Sequence, residues 1–379
     1  MMRIYLDHNA STPIAPEVAD AMRPFLSGHF GNPSSRHWAG ISAKEAVENA
    51  RKQVAGLLGC NPSEVVFTSG GTEANNHAIK GVYFANRGRG SHIITSSVEH
   101  PAVIEPCRFL ESLGASVTYL PVDGYGRVDP GAVRKAITPR TILISIMHAN
   151  NETGTLQPIR EISRIAREHK VLLHTDAAQS VGKIGTLVDD LGVDLLSVAG
   201  HKLYAPKGVG VLYVRRGIVL ERFMHGAGHE GGRRAGTENV MLDVGLGKAC
   251  ELAGEWIGMP GVKAFRDLFW RELKAWLGDR IVLNGHPEDR LPNTLNVSFV
   301  GRVGADILSA MEGIAASTGS ACHDGLVELS PVLKAMGVAP EAGMGAIRFS
   351  LGRTTTEEEI GETLQCLRAL PRGLMEKEA

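Results

Sequence analysis

The chain has 379 residues, 43% hydrophobic and 21% charged, enough for one large globular domain and a smaller one. Its 40 basic and 41 acidic residues nearly cancel and form no long run of like charge, which speaks against a nucleic-acid face or a membrane-binding patch. The start, Met1-Met2-Arg3-Ile4-Tyr5-Leu6-Asp7, has no signal-peptide core, and no apolar stretch reaches the roughly 18 residues of a membrane helix. A soluble, cytoplasmic protein that handles small molecules and other proteins is expected.

From about residue 60 to 215, short β-rich runs alternate with helical stretches: Val65-Val66-Phe67, His92-Ile93-Ile94-Thr95, Val117-Thr118-Tyr119-Leu120, Thr141-Ile142-Leu143-Ile144-Ser145, Val171-Leu172-Leu173 and Val209-Gly210-Val211-Leu212-Tyr213-Val214. Such alternation predicts an α/β fold, a mainly parallel sheet with helices on both faces and ligands at the carboxyl ends of its strands. A glycine-rich segment at 226–236 follows, then helical patterning from about Met241 to Leu277. Beyond it the period changes. Leu295-Asn296-Val297-Ser298-Phe299 and Ala346-Ile347-Arg348-Phe349-Ser350-Leu351 alternate around a helical Ala305–Met311, which predicts a separate α+β unit. The expected division is 15–255 for the large domain, with 1–14 and 256–379 forming the small one. Thr356 and Glu359 form a capping box for the last helix. The five cysteines (Cys60, Cys107, Cys250, Cys322, Cys366) are odd in number, scattered and without CxxC spacing, so neither a disulfide framework nor a metal site is expected.

Two residues set the chemistry. Lys202 lies just past the run Leu195-Leu196-Ser197-Val198-Ala199, and Asp176 ends the run Val171-Leu172-Leu173-His174-Thr175. A lysine amine forms Schiff bases with carbonyl compounds, and a carboxylate facing a pyridine nitrogen keeps it protonated, so the pair suggests pyridoxal 5'-phosphate. Each residue alone also fits a solvated lysine and a strand-end cap. Ser69-Gly70-Gly71-Thr72 turns from a strand into a helix, where free amides can hold a phosphate or merely make a turn. His100 follows the strand His92–Ser96, where an imidazole can stack on an aromatic ring, move protons, or simply face solvent. Asn150-Asn151 before Glu152-Thr153-Gly154 either shapes a turn or offers amides to a ligand. Arg348, in an apolar strand, either clamps a carboxylate or sits on the exposed polar face of a half-buried strand. Cys322, among glycines and small residues and beside His323, is either a reactive thiol on a mobile loop or a small buried hydrophobe.

These segments, with Tyr5-Leu6-Asp7, Phe30-Gly31-Asn32-Pro33-Ser34-Ser35, Thr175-Asp176-Ala177-Ala178-Gln179, Gly200-His201-Lys202, Arg234-Ala235-Gly236-Thr237 and Gly319-Ser320-Ala321-Cys322, resemble in order the NifS-like cysteine desulfurases. That resemblance implies a fold-type I pyridoxal-phosphate enzyme with a seven-stranded, mainly parallel sheet. It implies Lys202 as the Schiff-base lysine, Asp176 as the pyridinium partner and His100 as the stacking residue. Gln179 and Asn151 would neighbour the ring oxygen, and Gly71, Thr72 and His201 would hold the phosphate. Thr237 would reach the phosphate of a second subunit, hence a homodimer. Arg348, with Asn151 and Asn32, would bind the substrate. Cys322 would take the sulfur of L-cysteine as a persulfide for an acceptor or scaffold protein, as in iron–sulfur assembly. Relatives often have a hydroxyl residue where this chain has Ala199, a loss of one contact worth ~1 kcal/mol. Ser96-Ser97-Val98-Glu99-His100, Gly236-Thr237-Glu238-Asn239, Arg290-Leu291-Pro292-Asn293-Thr294 and Cys322-His323 look more like selenocysteine lyases, with L-selenocysteine as the alternative substrate.

Overall fold

The structure, a computed structural model, describes residues 3–318, 320–323 and 326–375, with the side chains of 320–328, 372 and 375 outside the description. Seven strands build the main sheet: β1 (Val65–Thr68), β2 (His92–Ser96), β3 (Ser116–Leu120), β4 (Thr141–Ser145), β5 (Leu172–Asp176), β6 (Leu195–Ala199) and β7 (Gly210–Val214). Their spatial order is β1-β7-β6-β5-β4-β2-β3. The pairs β6/β5, β5/β4, β4/β2 and β2/β3 are parallel, while β7 runs antiparallel to both its neighbours. The expected seven-stranded, mainly parallel sheet is therefore present.

Neighbouring residues of one strand serve opposite faces. Ile94, Ile144, Leu196 and Val211 pack with the helices Trp38–Leu58 and Val240–Ala253. Ile93, Leu143, Leu195 and Leu212 pack with the helices Gly71–Ala85 and Pro101–Glu111. A sheet covered on both sides needs apolar residues at consecutive positions, and the uninterrupted apolar runs in the sequence report that double burial.

A second, four-stranded sheet comprises β8 (Ile281–Asn284), β9 (Thr294–Phe299), β10 (Ser317–Thr318) and β11 (Ala346–Ser350), in the order β10-β11-β9-β8 and antiparallel throughout. One face, with Leu295, Val297, Phe299, Ile347 and Phe349, packs on the helices Pro260–Leu277 and Glu357–Ala369. The last of these starts on the expected capping box, Thr356 with Glu359. The polar face is buried as well: Asn284 Nδ2 donates to Asn296 Oδ1 and Ser298 Oγ, each at 2.8 Å, and Asn296 Nδ2 donates to the Glu152 carbonyl at 3.1 Å. Every residue of β9 and β11 is buried. The helical pattern expected from Met241 to Leu277 is broken into Val240–Ala253 and Pro260–Leu277, because Pro260 lacks the N–H that a helix interior requires and so starts a new helix.

Two short parallel strands, Ile4–Tyr5 and Ile314–Ala315, tie the amino terminus to this second unit. The backbone of Ser320–His323 pairs with Leu326–Leu329 as a hairpin arm. Among the described residues no helix is long and apolar enough to cross a membrane.

Candidate active site

At the carboxyl ends of β1, β2, β4, β5 and β6 the loops surround a cavity of about 320 Å³ lined by Asn9, Ala10, Gly71, Thr72, Asn75, His100, Ala102, Met147, Ala149, Asn151, Asp176, Ala178, Gln179, Ala199, His201, Lys202 and Arg348. Parallel strands put all their carboxyl ends on one edge, so residues far apart in the chain converge there. The main sheet brings together Lys202, Asp176, His100, Gln179, His201, Gly71, Thr72 and Asn151, and the second sheet adds Arg348 from β11.

Lys202 closes the short 3-10 turn Gly200–Lys202 after β6, and its Nζ donates to the carbonyls of Asn9 at 2.5 Å and Ala10 at 2.7 Å. Burial, then the nearby Arg348 cation, pulls its amine down to about 8. A lysine so tuned is half unprotonated near pH 8 and about one-tenth unprotonated at pH 7, and the unprotonated amine is the form that attacks a carbonyl. Asp176 is the last residue of β5, held by Asn75 Nδ2 at 2.6 Å and the Ala178 N–H at 2.9 Å. Asn75 was not foreseen; it sits one helical turn beyond Gly71, on the side of Gly71–Ala85 that meets the cavity.

The helix Gly71–Ala85 begins without a side-chain cap, because its N-cap is Gly70. Gly70 has φ 151°, which side-chain-bearing residues rarely adopt, and a Cβ on Gly210 of β7 would come within 2.7 Å of Gly70 Cα. Two glycines thus let strand and loop cross closely, leaving the amides of a 15-residue helix start to meet a phosphate. Thr72 and His201 border the same end. Ala199 faces Gly71, whose added Cβ would lie 3.2 Å from the Ala199 methyl, so at this point the loop after β1 meets a methyl and not a hydroxyl.

His100 caps the helix Pro101–Glu111, its Nδ1 accepting from the Ala102 N–H at 3.0 Å. With Nδ1 an acceptor, the neutral ring carries its proton on Nε2. Burial lowers its pKa from the ordinary imidazole value, with Asp176 opposing the shift. The preceding Glu99, fully enclosed, accepts from Ser96 Oγ at 2.6 Å and from the Met147 N–H, and burial raises its carboxyl to about 8. Glu99 thereby ties the loop after β2 to the loop after β4.

The two asparagines divide the alternatives between them. Asn150 is turn chemistry: its Oδ1 accepts from the N–H groups of Glu152 and Thr153, and its Nδ2 donates to the Val98 carbonyl. Asn151 lines the cavity, and its carbonyl accepts from Arg348. Arg348 is not exposed, which overturns the reading of a polar solvent face. It is 8% exposed, ion-paired to Asp7 Oδ1 at 2.7 Å and bonded to Ser317 Oγ and the Asn151 carbonyl.

Thr237 and Asn32 lie outside the cavity. Both are exposed, Thr237 beside Arg234, Glu238 and Asp243, and Asn32 accepting from the Ser34 N–H. The side chain of Cys322 lies outside the described residues; its backbone is in the strand Ser320–His323. His174, in the middle of β5, is buried between Ser145 and Ser197 and away from the cavity lining.

A carboxylate, an amine, an imidazole and a helix start, gathered around 320 Å³, fit pyridoxal phosphate: Asp176 suits its ring nitrogen, Lys202 its aldehyde, and the Gly71–Thr72 amides its phosphate. Residues 4–362 match the Aminotransferase class-V family. The chain is 51% identical to the cysteine desulfurase IscS of Dictyoglomus turgidum, over 96% of this chain and 93% of that one. It is 48% identical to the cysteine desulfurase IscS of Methanosarcina thermophila, over 96% and 90%. A solved NifS-like protein superposes with a TM-score of 0.90 at 38% identity, covering 97% of this chain and 98% of that chain. SspA in complex with cysteine gives 0.82 at 38%, covering 93% and 100%. Sequence and fold agree along nearly the whole chain, so it belongs to the class-V aminotransferases, fold-type I enzymes that depend on pyridoxal phosphate.

Proposed function

We propose that the protein is a cysteine desulfurase that converts L-cysteine to L-alanine and leaves the sulfur as a persulfide on Cys322. The supporting observation is the meeting of Lys202, Asp176 and His100 with a buried Arg348 in one cavity, in a chain whose relatives bear that activity in their names. Pyridoxal phosphate, when bound, supplies an electron sink conjugated to the substrate's carbon skeleton.

The chain's own groups have distinct tasks in this reading. Asp176, oriented by Asn75, holds the ring-nitrogen proton. Thr72, His201 and the Gly71 amide hold the phosphate. With the cofactor bound, Gln179 and Asn151 would face the ring oxygen, and His100 would stack on the ring and move protons at Nε2. Arg348, steadied by Asp7, takes the substrate carboxylate, with Asn151 beside it. Cys322 attacks the substrate's sulfur as thiolate: a sulfur–sulfur bond forms, the carbon–sulfur bond breaks, and the carbon keeps the bonding pair and takes a proton. An acceptor or scaffold protein, as for iron–sulfur assembly, then receives the sulfur in the cytoplasm.

The protein acts as a homodimer in this proposal. Thr237 and Asn32 stand outside the cavity of their own chain, and exposed Leu26, Phe30 and Trp38 flank Asn32, an apolar surface a second copy would cover.

The test is turnover of L-cysteine by the purified holoenzyme, with alanine quantified and the Cys322 peptide weighed for one added sulfur atom. Cys322→Ala should abolish sulfur release. Loss of sulfur release with survival of selenium release from L-selenocysteine would favour a selenocysteine lyase. Amino transfer to a keto acid with Cys322 dispensable would overturn the proposal.

A further inference from the structure

Lys183 is the most deeply enclosed lysine at the site, 6% exposed, and nothing above gives it a task. It lies four residues after Gln179 in the turn that follows β5. Its Nζ donates to Gln179 Oε1 at 3.0 Å and to Asn9 Oδ1 at 3.1 Å. The charges that act on it are both positive, Lys202 and Arg348, and burial holds its amine well below the ordinary lysine value. A neutral amine has two N–H groups, and these two acceptors use them both. Charged, the group can only donate; neutral, it keeps one lone pair, but as placed both its N–H groups donate, one of them to Gln179 Oε1.

That matters because a carboxamide has two ends of nearly equal shape and opposite hydrogen-bonding sense. In Gln179 the oxygen end belongs to Lys183. The nitrogen end spends one hydrogen on the Asn9 carbonyl at 2.9 Å, leaving the second for the cavity that Gln179 lines. Asn9 is itself locked: its Oδ1 also accepts from Asn293 Nδ2 at 3.0 Å, its Nδ2 donates to Thr294 Oγ1 at 2.8 Å, and its N–H donates to Ser350 Oγ at 2.9 Å. The amide of Gln179 therefore cannot turn over without setting its own oxygen against the Asn9 carbonyl and, where the Lys183 amine is charged, stranding that donor as well.

We infer that Lys183 is a positioning residue that fixes Gln179 with an N–H, rather than a carbonyl, toward the oxygen-bearing edge of a bound pyridoxal ring. This rests on the reading that Gln179 faces that edge. A donor there draws off the oxygen's negative charge, so the oxygen holds the proton next to it on the lysine–cofactor nitrogen less tightly. Losing the donor raises the pH at which the bound cofactor's visible spectrum changes.

The experiment is a visible-absorbance pH titration of the holoenzyme, paired with thermal melting of the apoprotein. Lys183→Met matches the chain length without the donor and leaves no uncompensated charge behind; Lys183→Leu is the reserve, with the same expectation, if the first does not fold. Lys183→Met and Gln179→Leu should each raise the titration midpoint by roughly one pH unit, the size of one lost hydrogen bond, and the double variant should rise no further. A lowered melting point with an unmoved midpoint for the lysine variant, while Gln179→Leu shifts, overturns the inference. An unmoved midpoint for Gln179→Leu itself overturns instead the placement of Gln179 at the ring.

Discussion

At the scale of single residues, the site is governed by what burial does to charge. Lys202 shows it most directly: desolvation, reinforced by Arg348, disfavours its ammonium and brings the amine to about 8. Only the unprotonated amine attacks the cofactor's aldehyde. Capture of pyridoxal phosphate by the apoprotein should therefore quicken about tenfold per pH unit below about 8 and level off above it. Stopped-flow absorbance between about pH 6 and 9.5 would read this directly, and an inflection near the ordinary lysine value of about 10.4 would contradict it. Arg348 makes the complementary point. A guanidinium in an apolar strand invited a search for an anion, and the structure supplies one within the chain, Asp7. The sequence could name the arginine but not that partner, 341 residues away.

At the scale of elements, the loops rather than the strands hold the two sheets in register at the site. Ser330 caps the helix Pro331–Ala335 through the N–H groups of Val332 and Leu333, and its hydroxyl also donates to Glu152 Oε2 at 2.5 Å. Glu152 is half-buried, and the loss of water around its carboxyl raises it above the usual range. It belongs to the turn that presents Asn151 to the cavity, so one hydroxyl connects that turn to the segment following the cysteine hairpin. Ser330→Ala removes a cap and leaves a half-buried acceptor without its donor, with an expected cost of about 2 kcal/mol in urea denaturation. Ser330→Thr, which keeps the hydroxyl, should cost less than half as much. The break at Gly254–Met259 belongs to this scale too: Pro260 announces a helix start, and a periodicity count that runs across it overlooks the missing N–H.

At the scale of the whole molecule, the exposed apolar residues are the unfinished part. Trp38 is 77% exposed and Phe30 75%, on either side of Asn32. Side chains this open contribute little to the fold of one chain but bury large area against a second. Trp38→Ala should leave the monomer's stability within about 0.5 kcal/mol of the parent while weakening self-association by about 2 kcal/mol, near thirtyfold in the dissociation constant. Sedimentation velocity across a dilution series would measure it, and unchanged association would count against the homodimer.

What the sequence determined by itself was everything local or periodic. Consecutive apolar residues in β2, β4 and β6 announced a sheet covered on both sides, Gly70-Gly71 announced the tight turn from strand into helix, and Thr356 with Glu359 announced a helix start. Lys202 and Asp176 were legible because strand ends are legible and parallel strands put their ends together. What only the tertiary structure decided was partnership. Alternation in β9 and β11 left open whether Arg348 faced solvent, yet that face is covered, because Asn284, Asn296, Ser298 and Arg348 find their hydrogen-bond partners in each other and in the loops of the main sheet. Asn75, Asn9 and Lys183 carried no signal for the same reason. A short-range pattern records which face a residue takes, whereas the groups that satisfy a buried polar atom come from distant parts of the chain and exist as neighbours only after folding.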